Sequence, residues 1–276
     1  MGNSTSQPKN KTGKSVVRQK LENASKTGIL SLQEHHLEEV PHEVVSISNL
    51  RSLDLSKNSL VDLSKLCSLV NLKVLNCEFN KLRPGSLQSA TNLSKLQTLN
   101  AGNNRLGGQV LSNQTQSSFP ELPASLKELK LPSNSFLSIP PQICSANLTK
   151  LENLDLSNNS LAHVPPEIKF LKSLVDLNLD NNSIPSLPNE IGELKKLKVL
   201  SLRSNGMNGT TSPQPLPPSL FSDTQLIDLN LHENVMTNSQ LMDYDGFSDF
   251  LERRRKVKTK NIAGGALTDL DTCGLR

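Results

Sequence analysis

An α/β solenoid, a right-handed curved horseshoe with a parallel concave sheet, short convex helices or 3-10 turns and a helical cap at each end, is what this sequence predicts. Three observations carry the prediction. The frame L-x-x-L-x-[LCA]-x-x-N-x-[LFIM] recurs eight times between Leu50 and Met236. Its asparagines, Asn58, Asn80, Asn104, Asn134, Asn159, Asn182, Asn205 and Asn234, are separated by 22, 24, 30, 25, 23, 23 and 29 residues, a period that marks stacked leucine-rich units. Within each copy, as in Leu53-Asp54-Leu55, the alternation of a strand turns two leucines inward and one polar residue outward. No unit is large enough to bury its own apolar side, so the copies must stack and share one core.

Residues 1–14 read as a flexible basic leader. Met1-Gly2-Asn3-Ser4-Thr5-Ser6 fits M-G-x-x-x-[ST], the pattern for N-myristoylation of Gly2, and lacks the apolar segment of a secretory signal. Lys9, Lys11, Lys14, Arg18, Lys20 and Lys26, against Glu22, give residues 1–28 a formal charge of +5. One myristoyl chain binds a bilayer only marginally, with a constant of about 10⁴ M⁻¹. Each cation near an anionic leaflet adds about 1 kcal/mol. Lys9, Lys11, Lys14 and Arg18 lie close enough to Gly2 to act with the lipid, so a peripheral, lipid-anchored protein at the cytoplasmic face of a membrane is expected.

Residues 15–28 predict an N-terminal capping helix, because Val17, Leu21 and Ala24 share one face and Gly28 supplies a stop. The solenoid proper then spans 29–238 in about nine repeats, the first a degenerate Leu30-x-Leu32-x-x-His35-x-Leu37. The turn after each strand leaves backbone N–H and C=O groups inside, where an unpaired one costs about 1–3 kcal/mol. An asparagine amide supplies both donors and an acceptor, which predicts a buried asparagine ladder with His35 standing in at the first turn. Prolines such as those of Val164-Pro165-Pro166 and Leu187-Pro188 end the strand half. The following Glu167-Ile168-x-x-Leu171 and Glu190-Ile191-x-x-Leu194 predict a short convex helix or 3-10 turn.

Two stretched repeats, Gly107 to Pro120 and Gly206 to Pro218, leave the strand frame intact and read as loops. At the far end, residues 239–260 predict a C-terminal capping helix with Leu241, Tyr244, Phe247, Phe250 and Leu251 on one face. Its basic run from Arg253 to Lys260 reads as a solvated helix exit, and 261–276, rich in Gly and small residues, as a disordered tail.

The 276 residues contain four cysteines, Cys67, Cys77, Cys144 and Cys273, without paired or metal-type spacing. They read as reduced thiols, with Cys77 at a leucine position. The whole chain is +4, yet residues 29–238 carry 17 basic and 19 acidic side chains. Outward positions supply Asp54, Glu78, Glu128, Asp155, Asp176, Asp180, Asp228 and Glu233 against Lys57, Lys130 and Arg203, so the concave face is expected to be acidic. That argues against nucleic acid and suits a basic protein partner. Val74, Phe79 and Val199 are apolar exceptions that would anchor it, Phe79 first. No phosphate loop, metal-ligand cluster or nucleophile motif points to an enzyme, a metal or a cofactor, and a monomer is expected.

Met1-Gly2-Asn3-Ser4, Ala24-Ser25-Lys26-Thr27-Gly28 before the first strand, and Leu241-Met242-Asp243-Tyr244-Asp245-Gly246-Phe247 near the end together resemble the small intracellular leucine-rich repeat-containing protein 57 group. The similarity runs to about Lys260 and departs at the two insertions and the tail. It implies an N-myristoylated, membrane-associated protein with no catalytic residues. The expected function is a non-enzymatic scaffold or adaptor that binds a partner on its concave sheet, in small GTPase or phosphatase signalling by architectural analogy. The alternative is a soluble cytosolic repeat inhibitor without membrane attachment.

Overall fold

The computed structural model describes residues 11–107, 119–211, 214–261 and 273–275. Nine three-residue strands form one parallel sheet in strict chain order: β1 (Ile29–Ser31), β2 (Ser52–Asp54), β3 (Val74–Asn76), β4 (Thr98–Asn100), β5 (Glu128–Lys130), β6 (Asn153–Asp155), β7 (Asp176–Asn178), β8 (Val199–Ser201) and β9 (Asp228–Asn230). The central residue of every strand is a leucine that pairs in register with the next, Leu53 with Leu75 and Leu154 with Leu177 among them. These leucines are buried in one continuous core. Burying each stabilises the fold by about 1.5–3 kcal/mol, and a small rotation from each repeat to the next curves the sheet.

The convex side carries 3-10 turns over Ser64–Ser68, Gln88–Asn92, Pro166–Phe170 and Asn189–Glu193, the last two where the Pro-Glu-Ile and Asn-Glu-Ile segments predict them. Two short helices, α2 (His42–Val45) and α3 (Pro218–Ser222), take the same place in other repeats. Pro166 and Pro218 each start their element from an extended proline, where the missing N–H would have had no helical acceptor anyway.

The asparagine ladder forms. Asn80 Nδ2 donates to the carbonyls of Leu55, Cys77 and Glu78 at 3.0, 3.0 and 3.2 Å while its Oδ1 accepts from Leu60 N–H at 3.0 Å. Asn104 and Asn182 repeat the pattern. At the first turn His35 Nδ1 lies 2.6 Å from the Gln33 carbonyl, and since a carbonyl only accepts, this nitrogen carries the proton. The imidazole thereby makes the bond to residue i−2 that the asparagines make elsewhere.

Three boundaries differ from the sequence expectation. The first helix, α1, spans Lys11–Thr27, four residues longer at its front than the 15–28 expected. Val17 and Leu21 pack on the core and Ala24 is buried, and a helix so nucleated propagates into polar residues at little cost. The second cap is two helices, α4 (Asn238–Met242) and α5 (Phe247–Asn261), not one over 239–260. Thr237 and Gln240 form a capping box on α4, and Gly246 at φ +79° makes the turn between them, since a Cβ there would lie 3.2 Å from Phe221.

The run after Phe250 is not simply solvated. Arg253 Nη2 donates to the Phe221 carbonyl at 2.6 Å, capping the last turn of α3, and Arg254 is buried. The expected disordered tail is corrected at residues 273–275, which lie on the last repeat: Cys273 is buried and its carbonyl accepts from Leu231 N–H at 2.8 Å. The edge of β9 would otherwise leave that donor unpaired. Residues 262–272, like Gly2 and Lys9 of the leader, lie outside the described residues.

Candidate partner-binding surface

The pleat places two rows of side chains on the concave face. One row is Ile29, Ser52, Val74, Thr98, Glu128, Asn153, Asp176, Val199 and Asp228; the other begins at Ser31 and Asp54 and ends at Asn230. Neighbouring rungs are about 4.8 Å apart.

The eight carboxylates expected on this face divide by what they already hold. Asp54 Oδ1 accepts from Ser56 N–H at 2.9 Å and Asp155 Oδ1 from Ser157 N–H at 2.9 Å. Asn76, Asn100, Asn178 and Asn230 make the same bond two residues on. In six of the nine strands the last residue is therefore Asx-type because it turns the chain, a role that alternation of polar and apolar residues does not show. Asp180 Oδ1 caps Arg203 N–H at 2.7 Å. Glu78 bridges Asn100 and Asn103 at 3.0 and 3.2 Å. Glu128 pairs with Lys130 at 2.6 Å, and Glu233 with Arg203 and, at 2.5 Å, Ser204.

The carboxylates of Asp176 and Asp228 make no hydrogen bond or ion pair among the described residues. They sit on β7 and β9 with Val199 of β8 between them, two rungs apart. Partial burial, with Asp155 and Asp228 nearby and Lys130 only partly compensating, holds the Asp176 carboxyl above the usual aspartate range. A partly buried carboxylate whose neighbours are mostly of its own sign is one that a basic ligand would relieve. A hollow of about 300 Å³, lined by Glu128, Lys130, Asn153, Leu154, Asp155, Asp176 and Asn178, opens on the β5 to β7 side, with Asp176 but not Asp228 on its wall.

Glu78, Phe79, Asp180 and Glu233 are not on the strands. They occupy the turn that leaves the sheet, so they border the concave face instead of flooring it. The residue before each ladder position, from Glu34 and Lys57 through Phe79, Asn103 and Ser133 to Glu233, has φ of 53–60°. Asparagine tolerates this left-handed conformation, and an aromatic does so at a cost of about 1–2 kcal/mol. Phe79 stands there 48% exposed, and Val74 is 37% exposed on β3. Val74 and Phe79 share one repeat but lie four rungs from Asp176, so the structure does not bring these anchors to the acidic pair. Val199 it does. Of the membrane-directed cations, Arg18 is exposed and pairs with Glu22 at 3.3 Å; the side chains of Lys11 and Lys14 lie outside the described residues.

No group of His, Cys, Asp and Glu among the described residues is arranged to hold a metal ion. No described helix is long and apolar enough to cross a membrane.

A family model described as leucine rich repeat matches residues 124–184 and 149–207. Bovine (Bos taurus) osteomodulin is 34% identical over 53% of this chain and 33% of its own length. Ras guanine nucleotide exchange factor V of Dictyostelium discoideum is 32% identical over 53% of this chain and 8% of its own. The chain thus spans a third or less of these curated relatives. Among solved structures, a Leptospira interrogans leucine-rich repeat protein superposes with TM-score 0.62 at 27% identity, covering 81% of this chain and 58% of that one. The plant peptide hormone receptor RGFR1 in complex with RGF2 gives TM-score 0.54 at 29% identity over 72% of this chain and 31% of the receptor.

Proposed function

We propose that this leucine-rich repeat protein is a non-enzymatic scaffold whose concave sheet receives a basic segment of a protein partner, while myristoyl-Gly2 and the basic leader hold it on the cytoplasmic face of a membrane. The observation that carries the first half is the pair Asp176 and Asp228, unpaired carboxylates flanking Val199 on the concave strands. A lysine or arginine laid between them would gain two charge-assisted contacts and relieve their mutual repulsion. The receptor–peptide complex among the structural neighbours supports peptide capture by this architecture. The repeats shared with a Ras guanine nucleotide exchange factor favour small GTPase signalling over phosphatase signalling as the setting.

Proximity labelling in cells tests both halves. Asp176→Asn with Asp228→Asn should lose the partner and keep membrane neighbours; Gly2→Ala should do the reverse. If the double aspartate variant labels the same proteins as wild type, the concave reading fails. Unchanged labelling by Gly2→Ala would leave a soluble binder.

A further inference from the structure

The edge where the chain enters each strand carries a second charged feature, opposite in sign to the concave floor. Arg51 N–H bonds Gly28 C=O at 2.7 Å, Lys73 N–H bonds Arg51 C=O at 2.8 Å, and Gln97 N–H bonds Lys73 C=O at 2.8 Å. Gly28, Arg51, Lys73 and Gln97 are therefore consecutive rungs, about 4.8 Å apart. Two residues earlier in each repeat stands a parallel row, Lys26, Asn49, Asn71 and Lys95. Its members are tied together: Asn49 Nδ2 donates to Ser25 C=O at 2.8 Å, Asn71 Nδ2 to Ser48 C=O at 2.9 Å, and Lys95 Nζ to Asn71 Oδ1 at 2.7 Å.

The two rows enclose an open groove of about 410 Å³. Lys26, Arg51, Lys73 and Lys95 are exposed, and no carboxylate pairs with any of them among the described residues. The segments that build this edge, residues 46–51, 67–73 and 91–97, contain no Asp or Glu at all. Farther along the same edge Lys127 pairs with Glu152, Lys172 with Glu193 and Lys195 with Asp223, while Lys150, Lys196 and Lys198 have no carboxylate partner among the described residues. What sets Lys26, Arg51, Lys73 and Lys95 apart is that they line one groove without a carboxylate, where α1 joins the sheet. Its cations are exposed and spread over several rungs, with no buried polar side chain to enclose a small ligand, which fits a flat anionic surface better than a discrete solute.

We infer that this groove is a second membrane contact, in which Lys26, Arg51, Lys73 and Lys95 take the phosphate and carboxylate groups of anionic phospholipid headgroups. It rests on the membrane half of the proposed function and adds orientation to it: with α1 and the strand-entry edge against the bilayer, the parallel strands run along the membrane normal and the concave sheet opens sideways into the cytosol. A lipid on Gly2 alone would leave the solenoid free to tumble.

The test uses the full chain in unmyristoylated and myristoylated forms, with phosphatidylcholine vesicles that contain or lack phosphatidylserine. Lys26→Gln with Lys73→Gln removes two charges that make no hydrogen bond in the described structure, so folding should be unaffected, which circular dichroism checks. For the unmyristoylated protein this variant should bind phosphatidylserine vesicles about thirty-fold more weakly, the equivalent of about 1 kcal/mol per cation, and neither form should prefer vesicles without it. Equal binding of variant and wild type overturns the inference; if the myristoylated wild type still binds vesicles, the anchor itself stands. Absence of vesicle binding by the myristoylated wild type overturns both. Saturable binding of soluble inositol phosphates, with no vesicle binding by the unmyristoylated wild type, also overturns it by assigning the groove to a solute.

Discussion

Asn80 Oδ1 accepts the backbone N–H of Leu60 at 3.0 Å, twenty residues back in the chain and one repeat away. The same amide donates to Leu55 C=O in that repeat and to Cys77 C=O in its own. One side chain therefore closes the polar accounts of two turns, and neighbouring repeats are held by hydrogen bonds as well as by leucines.

Asn80→Ala should cost about 3 kcal/mol, since it orphans a buried donor and several carbonyls at once. Asn58→Ala should cost less, about 1 kcal/mol, because Asn58 is only partly buried near the front of the stack. Equilibrium urea denaturation of both variants checks the order, and equal losses would remove the ladder from the stability argument.

Phe79→Asn should change stability by no more than about 0.5 kcal/mol, because relief of the left-handed backbone offsets the modest burial of a half-exposed ring. Phe136→Ala, which empties a buried site, should cost about 3–5 kcal/mol. A loss at Phe79 as large as that at Phe136 would show the ring to be core and not a surface anchor.

Asp176 should titrate above the usual aspartate range, and Asp228→Asn should bring it down, as read by carboxyl-carbon NMR. A raised value means the folded state holds the proton more tightly than the unfolded chain. Its contribution to stability is present below the ordinary aspartate pKa and is lost as pH rises through the folded value. Asp176→Asn should consequently stabilise the protein slightly at neutral pH and not at pH below the ordinary aspartate range; a destabilised variant at neutral pH would mean that the carboxylate has a partner in the free protein.

Of the four thiols only Cys67 is exposed. Burial pushes the Cys144 thiol up to about 12 and Cys77 higher still, so a thiol reagent should label one cysteine quickly in native protein and four after denaturation. A side chain on Gly274, which has φ +75°, would overlap the His232 ring. Gly274→Ala should unseat the tail and add Cys273 as a second fast thiol; no added thiol would mean that the tail does not cover the β9 edge.

How much was legible in the sequence follows the range of each interaction. Leu53, Leu75 and their equivalents declare strand and core because alternation and period are local signals, and the buried amides of Asn80 and Asn104 follow from the frame for the same reason. The acidic outward positions divide by register: Asp54 and Asp155 accept turn amides, and Asp180, Glu78 and Glu233 sit beyond the strands. Only register separates them from Asp176 and Asp228.

The sequence by itself determined the solenoid, its buried leucines and the inward-facing asparagines, since each is repeated at a fixed spacing and every copy argues for the same geometry. The tertiary structure alone decided which charges stand unpaired, that Lys26, Arg51, Lys73 and Lys95 converge on one edge, and that residues 273–275 cover the last strand. Those relations join residues about 22 to 42 positions apart through the stacking of repeats, and no local pattern encodes the lateral neighbour that a side chain will meet one rung away.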